Sequence, residues 1–345
     1  MKSYNQKRAN LNDVALAAGT SVATVSRVLN NTGYSSEDIK TRVKIAAENL
    51  HYQPNLHAKS LRQKKSNSIG LLIPNLLNAY YTALADDVSQ LLNVHGYQLL
   101  LSSTRDDEEI EKNTLRQLIG HNVDGLIWVP TASDSELTDL VINKHIPAVS
   151  IVRKVKGNRL PTLVFEDFAG AYAATNHLLK LGHTRIGLIG GNIAHSSNND
   201  RLQGYIKALK DASVFVDQSL IKMGSLNDDR GSASAESFLQ LIKPPTAIFV
   251  ASNALMAGVM KTITHHDVHI PDEISLICFD DLEWFQFSKP PISAIAINHA
   301  RLAEAAVELL LKHIKNPAEL DKPAVFMQIS YELVLRASTA SPYQM

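Results

Sequence analysis

The sequence lacks most features that announce an exported protein or a catalyst. Its 345 residues hold one cysteine, Cys278. A single thiol closes no intramolecular disulfide, and Cys278 lies in the apolar run 274–279, so it reads as a buried strand residue rather than a nucleophile. No run approaches the roughly 18 apolar residues of a membrane span. The first ten residues are polar and contain no apolar h-region, so no secretory signal, a soluble cytoplasmic protein and no membrane partner are expected. There is no G-x-x-x-x-G-K-[ST] and no G-x-S-x-G. Gly187, Gly190 and Gly191 do not form G-x-G-x-x-G, which leaves a dinucleotide unsupported. His265 and His269 have i,i+4 spacing beside His266, but a helix there should end by Asp267, ahead of Ile270-Pro271, and no Cys or carboxylate cluster follows. No cofactor, no metal and no enzymatic activity are expected.

Net charge is also absent: 34 Lys and Arg balance 34 Asp and Glu. Their distribution is uneven. Residues 1–65 carry 11 basic and 4 acidic side chains, so a basic end is joined to an acidic body. A protein that meets nucleic acid at one end only has this pattern. The basic end reads as three short helices. The first spans about 11–18, with Asn10 and Asp13 at capping-box spacing. Gly19 breaks it, and Ser21 caps a second over 22–29. Ser35 is read as the cap of a third, about 36–50. Val14, Ala15, Ala18, Val25, Val28, Ile39, Val43, Ala46 and Leu50 give the three helices apolar stripes that can bury one another.

The spacing fits a helix-turn-helix, whose second helix enters the major groove N-terminus first. Val22, Ala23, Ser26 and Arg27 then face outward. Arg27 can pair bidentately with guanine, and Val22 and Ala23 can meet thymine methyls. The candidate DNA-contacting set also takes in Asn12, Ser21, Thr24, Asn30, Tyr52 and Asn55. At this point the stretch from Asn12-Asp13-Val14-Ala15 through Ala18-Gly19-Thr20-Ser21-Val22-Ala23-Thr24-Val25-Ser26-Arg27-Val28-Leu29-Asn30, with Tyr52-Gln53-Pro54-Asn55 following, resembles the headpiece of the LacI/GalR family of repressors. The resemblance runs along the whole chain. It implies that 55–67 is a hinge that becomes helical when two protomers sit on an operator. Leu61, with Ala58 one turn before it, then occupies the position of the family's minor-groove wedge, with Lys59 and Arg62 near phosphates.

Beyond residue 66 the pattern of strands alternating with helices occurs twice. Strands are expected at 68–74, 98–102 and 125–129, with helices at 81–95 and 107–121. The second set has strands at 185–190, 220–224 and 246–250, with helices at 199–211 and 233–243. Such alternation predicts parallel, doubly wound sheets in two lobes with a cleft between them. The family resemblance implies the same: an all-α helix-turn-helix headpiece plus an α/β two-lobed core like periplasmic binding proteins. Its expected parts are a headpiece at 1–54, a hinge at 55–67, one lobe from 68–165 with 297–328, and the other from 166–296 with 329–345. Matching signatures are Leu178-Leu179-Lys180-Leu181-Gly182-His183, Arg201-Leu202-Gln203-Gly204-Tyr205, Ile270-Pro271-Asp272-Glu273-Ile274-Ser275, Phe279-Asp280-Asp281 and Pro290-Pro291-Ile292-Ser293.

Ligands in such sheets lie beyond the strand C-terminal ends. This nominates Asn78, Tyr80, Tyr81, Thr104, Arg153, Arg201, Asn253, Asp280 and Trp284 as effector-binding residues. The resemblance implies Arg201, Asn253 and Asp280 most directly. The chemistry suits a sugar: planar donors and acceptors for hydroxyls, aromatic faces for C–H surfaces. Three departures from the family stand out. Val152 replaces an Asp before Arg153, Ala254 replaces an Asp after Asn253, and Ile297 replaces a polar residue. With two acceptors missing and two arginines kept, a sugar acid or sugar phosphate is the expected effector, with a neutral sugar as the alternative. The expected partners are double-stranded operator DNA, that effector and a second copy in a homodimer, since one headpiece reads only a half-site. No leucine-heptad tail follows the last body strand, so no tetramer is expected. A plain sugar-binding module and a cleft enzyme are the competing readings; the headpiece disfavours the first, and the want of a nucleophile–base pair the second. The expected function is a transcriptional regulator, most often a repressor in this family, of a carbohydrate-utilisation operon with a palindromic operator.

Overall fold

The structure, a computed structural model, describes residues 9–30, 32–52, 65–131 and 135–342. The chain divides into two compact units, 1–66 and 67–345. In the first, Asn10 accepts from the backbone N–H groups of Asn12 and Asp13 while the Asp13 carboxylate accepts from the Asn10 N–H, completing a capping box on α1 (Leu11–Ala17). Gly19 takes the turn at φ +59°, a conformation that disfavours any side chain. The Ser21 hydroxyl accepts from Thr24 N–H and starts α2 (Val22–Leu29). The third helix, α3 (Glu37–Asn49), is capped by Ser36, not Ser35; Ser35 is itself buried. The cap sits one residue later than expected, which places Glu37 and Asp38 in the first turn, where the helix dipole favours anions. Val14, Ala15, Val25, Val28, Val43 and Ala46 close the small core. Leu50, expected in that core, lies at the end of α3 and is 36% exposed.

The second unit contains two six-stranded sheets. The first is formed by β1 (Ser68–Ile73), β2 (Gln98–Ser103), β3 (Gly125–Trp128), β4 (Ala148–Ile151), β5 (Thr162–Phe165) and β11 (Phe326–Ile329). Its order is β11-β5-β4-β3-β1-β2 and every pairing is parallel. Its helices are α4 (Ala79–Val94), α5 (Glu108–Gly120), α6 (Ser135–Asn143) and α11 (His299–Lys315). The second sheet takes β6 (Ile186–Gly190), β7 (Ile221–Met223), β8 (Ala247–Val250), β9 (Ser275–Phe279), β10 (Ser293–Ile297) and β12 (Tyr331–Val334). Its order is β12-β10-β9-β8-β6-β7, parallel except for β12. Its helices are α7 (Asp167–Lys180), α8 (Ser196–Asp211), α9 (Asp228–Leu239) and α10 (Asn253–His265).

Parallel strands covered on both faces bury every side chain, hence the unbroken apolar runs of β1, β6 and β9. Cys278 is one of these buried strand residues. The chain passes from the first sheet to the second after β5 and between β11 and β12, and returns after β10. Leu302, Ala306 and Leu310 of α11 pack into the first lobe's core with Ile69, Leu84 and Val149.

Several helices begin earlier than the sequence pattern indicates. α4 starts at Ala79 because Asn78 accepts from the Tyr80 N–H; α9 starts at Asp228 because Asn227 accepts from the Arg230 N–H. Gly231 lies inside α9 for a packing reason. α10 passes so close that a Cβ at Gly231 would run into the Leu255 carbonyl oxygen, and one at Gly258 into that of Asp228.

Candidate functional site

On α2, Val25 and Val28 are buried, while Val22, Ala23 and Arg27 are exposed on the opposite face. The Arg27 side chain makes no hydrogen bond or ion pair with any other described residue. The other nominated residues have local structural roles. Ser21 and Thr24 bond each other at the helix start, Oγ to Oγ1 at 2.9 Å. Asn30 donates its amide to the Ser26 carbonyl at 2.7 Å and closes the helix end. Tyr52 is half-buried against the headpiece core, which raises its phenol pKa. Asn12 is exposed in the first turn of α1. Asn55, Ala58, Lys59, Leu61 and Arg62 lie outside the described residues.

In the two-lobed body, loops at the strand C-terminal ends enclose a cavity of about 30 Å³. That is room for little more than a water molecule. Asn78, Tyr80, Tyr81, Arg153, Arg201 and Asp280 line it. Thr104, Asn253 and Trp284 do not. Thr104 is fully buried, bonded to Thr131 at 3.0 Å, and Trp284 packs edge-on to Phe285 with ring centres 4.6 Å apart. Asn253 lies just behind the wall, where its backbone N–H donates to Asp280 at 3.4 Å. The remaining lining comes from Val152, Phe165, Ser197, Asn198, Leu226, Ser252 and Ile297. Ser197 and Asn198 precede Arg201 by one helical turn on α8, so that helix face gave a usable signal; Leu226 follows a strand with no such pattern.

Both arginines in the cavity wall are already engaged. Arg201 donates through Nε to Asp167 at 2.7 Å and through Nη1 to the Ala251 carbonyl at 2.7 Å. Its Nη2 is 4.0 Å from Asp280, and its guanidinium lies 3.6 Å from the Phe279 ring centre. Burial alone would lower its pKa, but the Asp167 and Asp280 carboxylates outweigh that and hold the guanidinium charged. Burial pushes Asp167 up to about 6, against the pull of Arg201, and raises Asp280 as well. Arg153 donates through Nη1 to Asp106 at 2.6 Å and to the Pro130 carbonyl at 3.0 Å. The two acceptors missing beside the arginines in sequence are therefore supplied by Asp106, from the loop after β2, and by Asp167, at the start of α7. The premise for an anionic effector does not hold.

The backbone around the cavity is strained. Arg105, Asp106, Val152 and Asp280 have φ of +56°, +54°, +66° and +72°. For β-branched Val152 this is a costly conformation. It is closed by a bond from Arg153 N–H to the Ile151 carbonyl at 2.7 Å, a three-residue turn that aims Arg153 off the end of β4 into the cavity. Four buried polar groups there have no partner among the described residues: the Tyr80 hydroxyl, the Asn253 amide, Arg153 Nε and His195 Nδ1. Unmet buried polar atoms are costly and point to a ligand or water.

Contacts across the mouth hold the lobes together. The Lys154 N–H donates to Ser196 at 2.8 Å and its ammonium to Asp200 at 2.5 Å. His195 Nε2 stands 3.8 Å from Asp106, and the ring also bonds the Thr131 backbone. Burial, then the Arg153 charge, lowers the His195 pKa to about 4. Of the three histidines near the end of α10, His266 bonds Glu236 and His269 bonds Glu273. Among the described residues, no helix is long and apolar enough to cross a membrane.

The profile for bacterial regulatory proteins of the lacI family matches residues 10–55, and that of a periplasmic binding protein-like domain matches residues 175–339. The HTH-type transcriptional repressor PurR of Actinobacillus pleuropneumoniae serotype 3 (strain JL03) is 31% identical over 330 residues, covering 96% of this chain and 98% of its own. The HTH-type transcriptional regulator RegA of Clostridium saccharobutylicum is 30% identical over 331 residues, 96% of this chain and 99% of its own. Among solved structures, the lac repressor dimer bound to operator and the anti-inducer ONPF superposes with a TM-score of 0.84 at 26% identity, covering 97% of this chain and 100% of that one.

Proposed function

The chain belongs to the LacI family of bacterial regulatory proteins, and from that premise we propose that it is a cytoplasmic repressor of a carbohydrate-utilisation operon, released from or fixed to its operator by a small sugar-like effector in the interlobe cleft. Its relatives named above are transcription regulators, not enzymes. In this reading, residues 1–54 recognise DNA, 55–67 link, and the lobes 68–165 with 297–328 and 166–296 with 329–345 hold the effector. Val22, Ala23 and Arg27 read base edges, with Arg27 donating to a guanine. Asn12, Ser21, Thr24, Ser26, Asn30, Tyr52 and Asn55 set the helix on the backbone, Lys59 and Arg62 lie near phosphates, and Ala58 and Leu61 work at the minor groove.

Tyr80, Tyr81, Asn78, Arg153, Arg201, Asn253 and Asp280 bind the effector. Tyr80 and Tyr81 offer aromatic faces, while Arg201, Asp280 and the Asn253 amide offer donors and acceptors for hydroxyls. Thr104 and Trp284 act from behind and beside that set. A second copy of the chain completes the unit, because one headpiece covers only a half-site and a two-fold dimer matches a palindrome.

Linkage supplies the mechanism. A cavity of about 30 Å³ is too small for a sugar, so the lobes must part to admit one. The effector then shifts operator binding only by its unequal affinity for the two lobe arrangements. The observation that carries this reading is the exposed Arg27 side chain of α2, without a partner among the described residues, in a chain whose cleft holds buried polar groups unsatisfied among those residues. The test is selection of bound fragments from random duplex DNA at fixed, moderate salt. An enriched palindrome, weakened by Arg27→Ala and by Leu61→Ala, supports it. Retention without sequence preference, with and without a pool of sugars, overturns it.

A further inference from the structure

We propose that Asp106 is the charge-selectivity residue of the cleft: its carboxylate occupies, on Arg153, the place that a carboxylate or phosphate of an anionic effector would take, so the cleft accepts an uncharged polyhydroxyl compound. The proposal rests on the cleft being the effector site. Arg153 lies deep, with 4% of its side chain exposed, whereas Asp106 is 32% exposed and approaches from the solvent side. The two oxygens within reach of Nη1 are the Asp106 carboxylate and the Pro130 carbonyl, and the Nε has no partner among the described residues. The loop is shaped for this delivery. Arg105 and Asp106 are consecutive left-handed residues, neither of them glycine, between Thr104, whose N–H bonds the Ile73 carbonyl, and Asp107, which caps α5. Backbone strain of this kind persists where the surroundings fix a functional side chain.

The charge balance agrees. The cations in the wall are Arg153 and Arg201, and they face the carboxylates of Asp106, Asp167 and Asp280. The neighbouring Lys154 is consumed by Asp200, and the carboxylate of Glu111 accepts from the Trp128 indole and the Thr131 N–H behind the Pro130 loop. His195, close to Asp106, is held neutral by burial and by Arg153, so it adds no charge for an anion. Among the described residues that line the cavity, no cation is left without a carboxylate. An anion on Arg153 Nη1 must displace Asp106, and it would then leave that carboxylate without its partner. Hydroxyls meet no such obstacle: they can donate to Asp106 and Asp280 and accept from Arg153 Nε and the Asn253 amide without disturbing any ion pair.

The experiment titrates the full-length protein with inorganic phosphate and glucose 6-phosphate at constant ionic strength, by calorimetry, beside a panel of neutral sugars. Wild type, Asp106→Asn and Asp106→Asn/Arg153→Gln are compared, each verified by circular dichroism and DNA retention. The expected result is no saturable phosphate binding by wild type, at least tenfold tighter binding by Asp106→Asn, and loss of that gain in the double variant. Equal phosphate affinity in wild type and a folded Asp106→Asn, or a gain that survives Arg153→Gln, overturns the proposal. If Asp106→Asn does not fold, the wild type decides: a sugar acid bound as tightly as its neutral parent sugar overturns the proposal, and at least tenfold weaker binding upholds it. The neutral-sugar arm separates the two layers. A neutral sugar bound by wild type, with no phosphate gained by Asp106→Asn, removes the selectivity role and leaves the effector site standing; nothing bound by any variant removes both.

Discussion

The DNA-reading helix and the cleft use opposite strategies with the same side chain. Arg27 stands exposed and unpartnered on a headpiece with a core of small Val and Ala side chains. Arg201 is buried, bonded to a carboxylate and a carbonyl and seated on an aromatic ring. A free arginine forms its strong bonds only with the partner, so its removal costs recognition and not folding. A satisfied buried arginine is part of the body's own frame, so a ligand must work through exchange of existing bonds, and its removal costs the frame first. The contrast explains how one chain keeps a rigid receiver and a ready reader.

The largest expected effect tests the buried side of this contrast. Arg201→Gln leaves Asp167 and Asp280 facing each other without a cation, and should destabilise the body by about 3–5 kcal/mol. Chemical denaturation of wild type and variant checks it; a loss below ~1 kcal/mol would mean that the pair is a surface-like contact. Next comes Arg27→Ala, which should lose about 1–3 kcal/mol of discrimination at its base pair with no change in the denaturation midpoint of the body. Competition binding with single-base operator variants measures the first quantity, and the same denaturation series the second. A drop in body stability would erase the contrast.

The third prediction concerns pH. The His195 pKa falls from the usual 6.5 to about 4 in the folded body. Between those values the unfolded chain binds a proton that the native state refuses, so stability is lost as pH falls through that window. Asp167, raised to about 6, acts in the opposite sense because its native carboxyl takes up a proton before the unfolded one does. The difference between wild type and His195→Gln isolates the histidine: the variant should lose about 2 kcal/mol less between pH 6.5 and 4. Parallel stability–pH curves would show that the ring titrates normally. The smallest effect belongs to the mouth. Lys154–Asp200 is about one third exposed, so Asp200→Asn should cost only about 0.2–1 kcal/mol. Solution scattering should nevertheless show a more open body, most clearly at low salt; an unchanged profile would remove this pair as an interlobe contact of consequence.

Much of the fold was legible because its determinants are local. The Asn10–Asp13 box, the Ser21 cap and the apolar runs of β1 and β6 are each contained within a few residues, and all form as expected. Gly231 is a glycine because of the neighbouring helix α10, a contact that no local pattern shows. Ser35 and Ser36 are chemically equal as caps, and only burial of Ser35 separates them. In the cleft, position after a strand was enough to nominate Asn78, Tyr80, Tyr81, Arg153, Arg201 and Asp280, all of which line the cavity. What position could not supply was pairing. Asp106 reaches Arg153 across 47 residues and Asp167 reaches Arg201 across 34, so two arginines that looked unbalanced in sequence are balanced in space.

The most direct test of the coupled switch is operator affinity of the full-length protein measured against a panel of neutral sugars, sugar acids and sugar phosphates at one salt concentration. The expected result is a neutral compound that changes the operator Kd by roughly 5- to 150-fold in wild type, the range of ordinary coupling free energies. An operator Kd unmoved by every compound that binds the body, or moved only by anions, would contradict it.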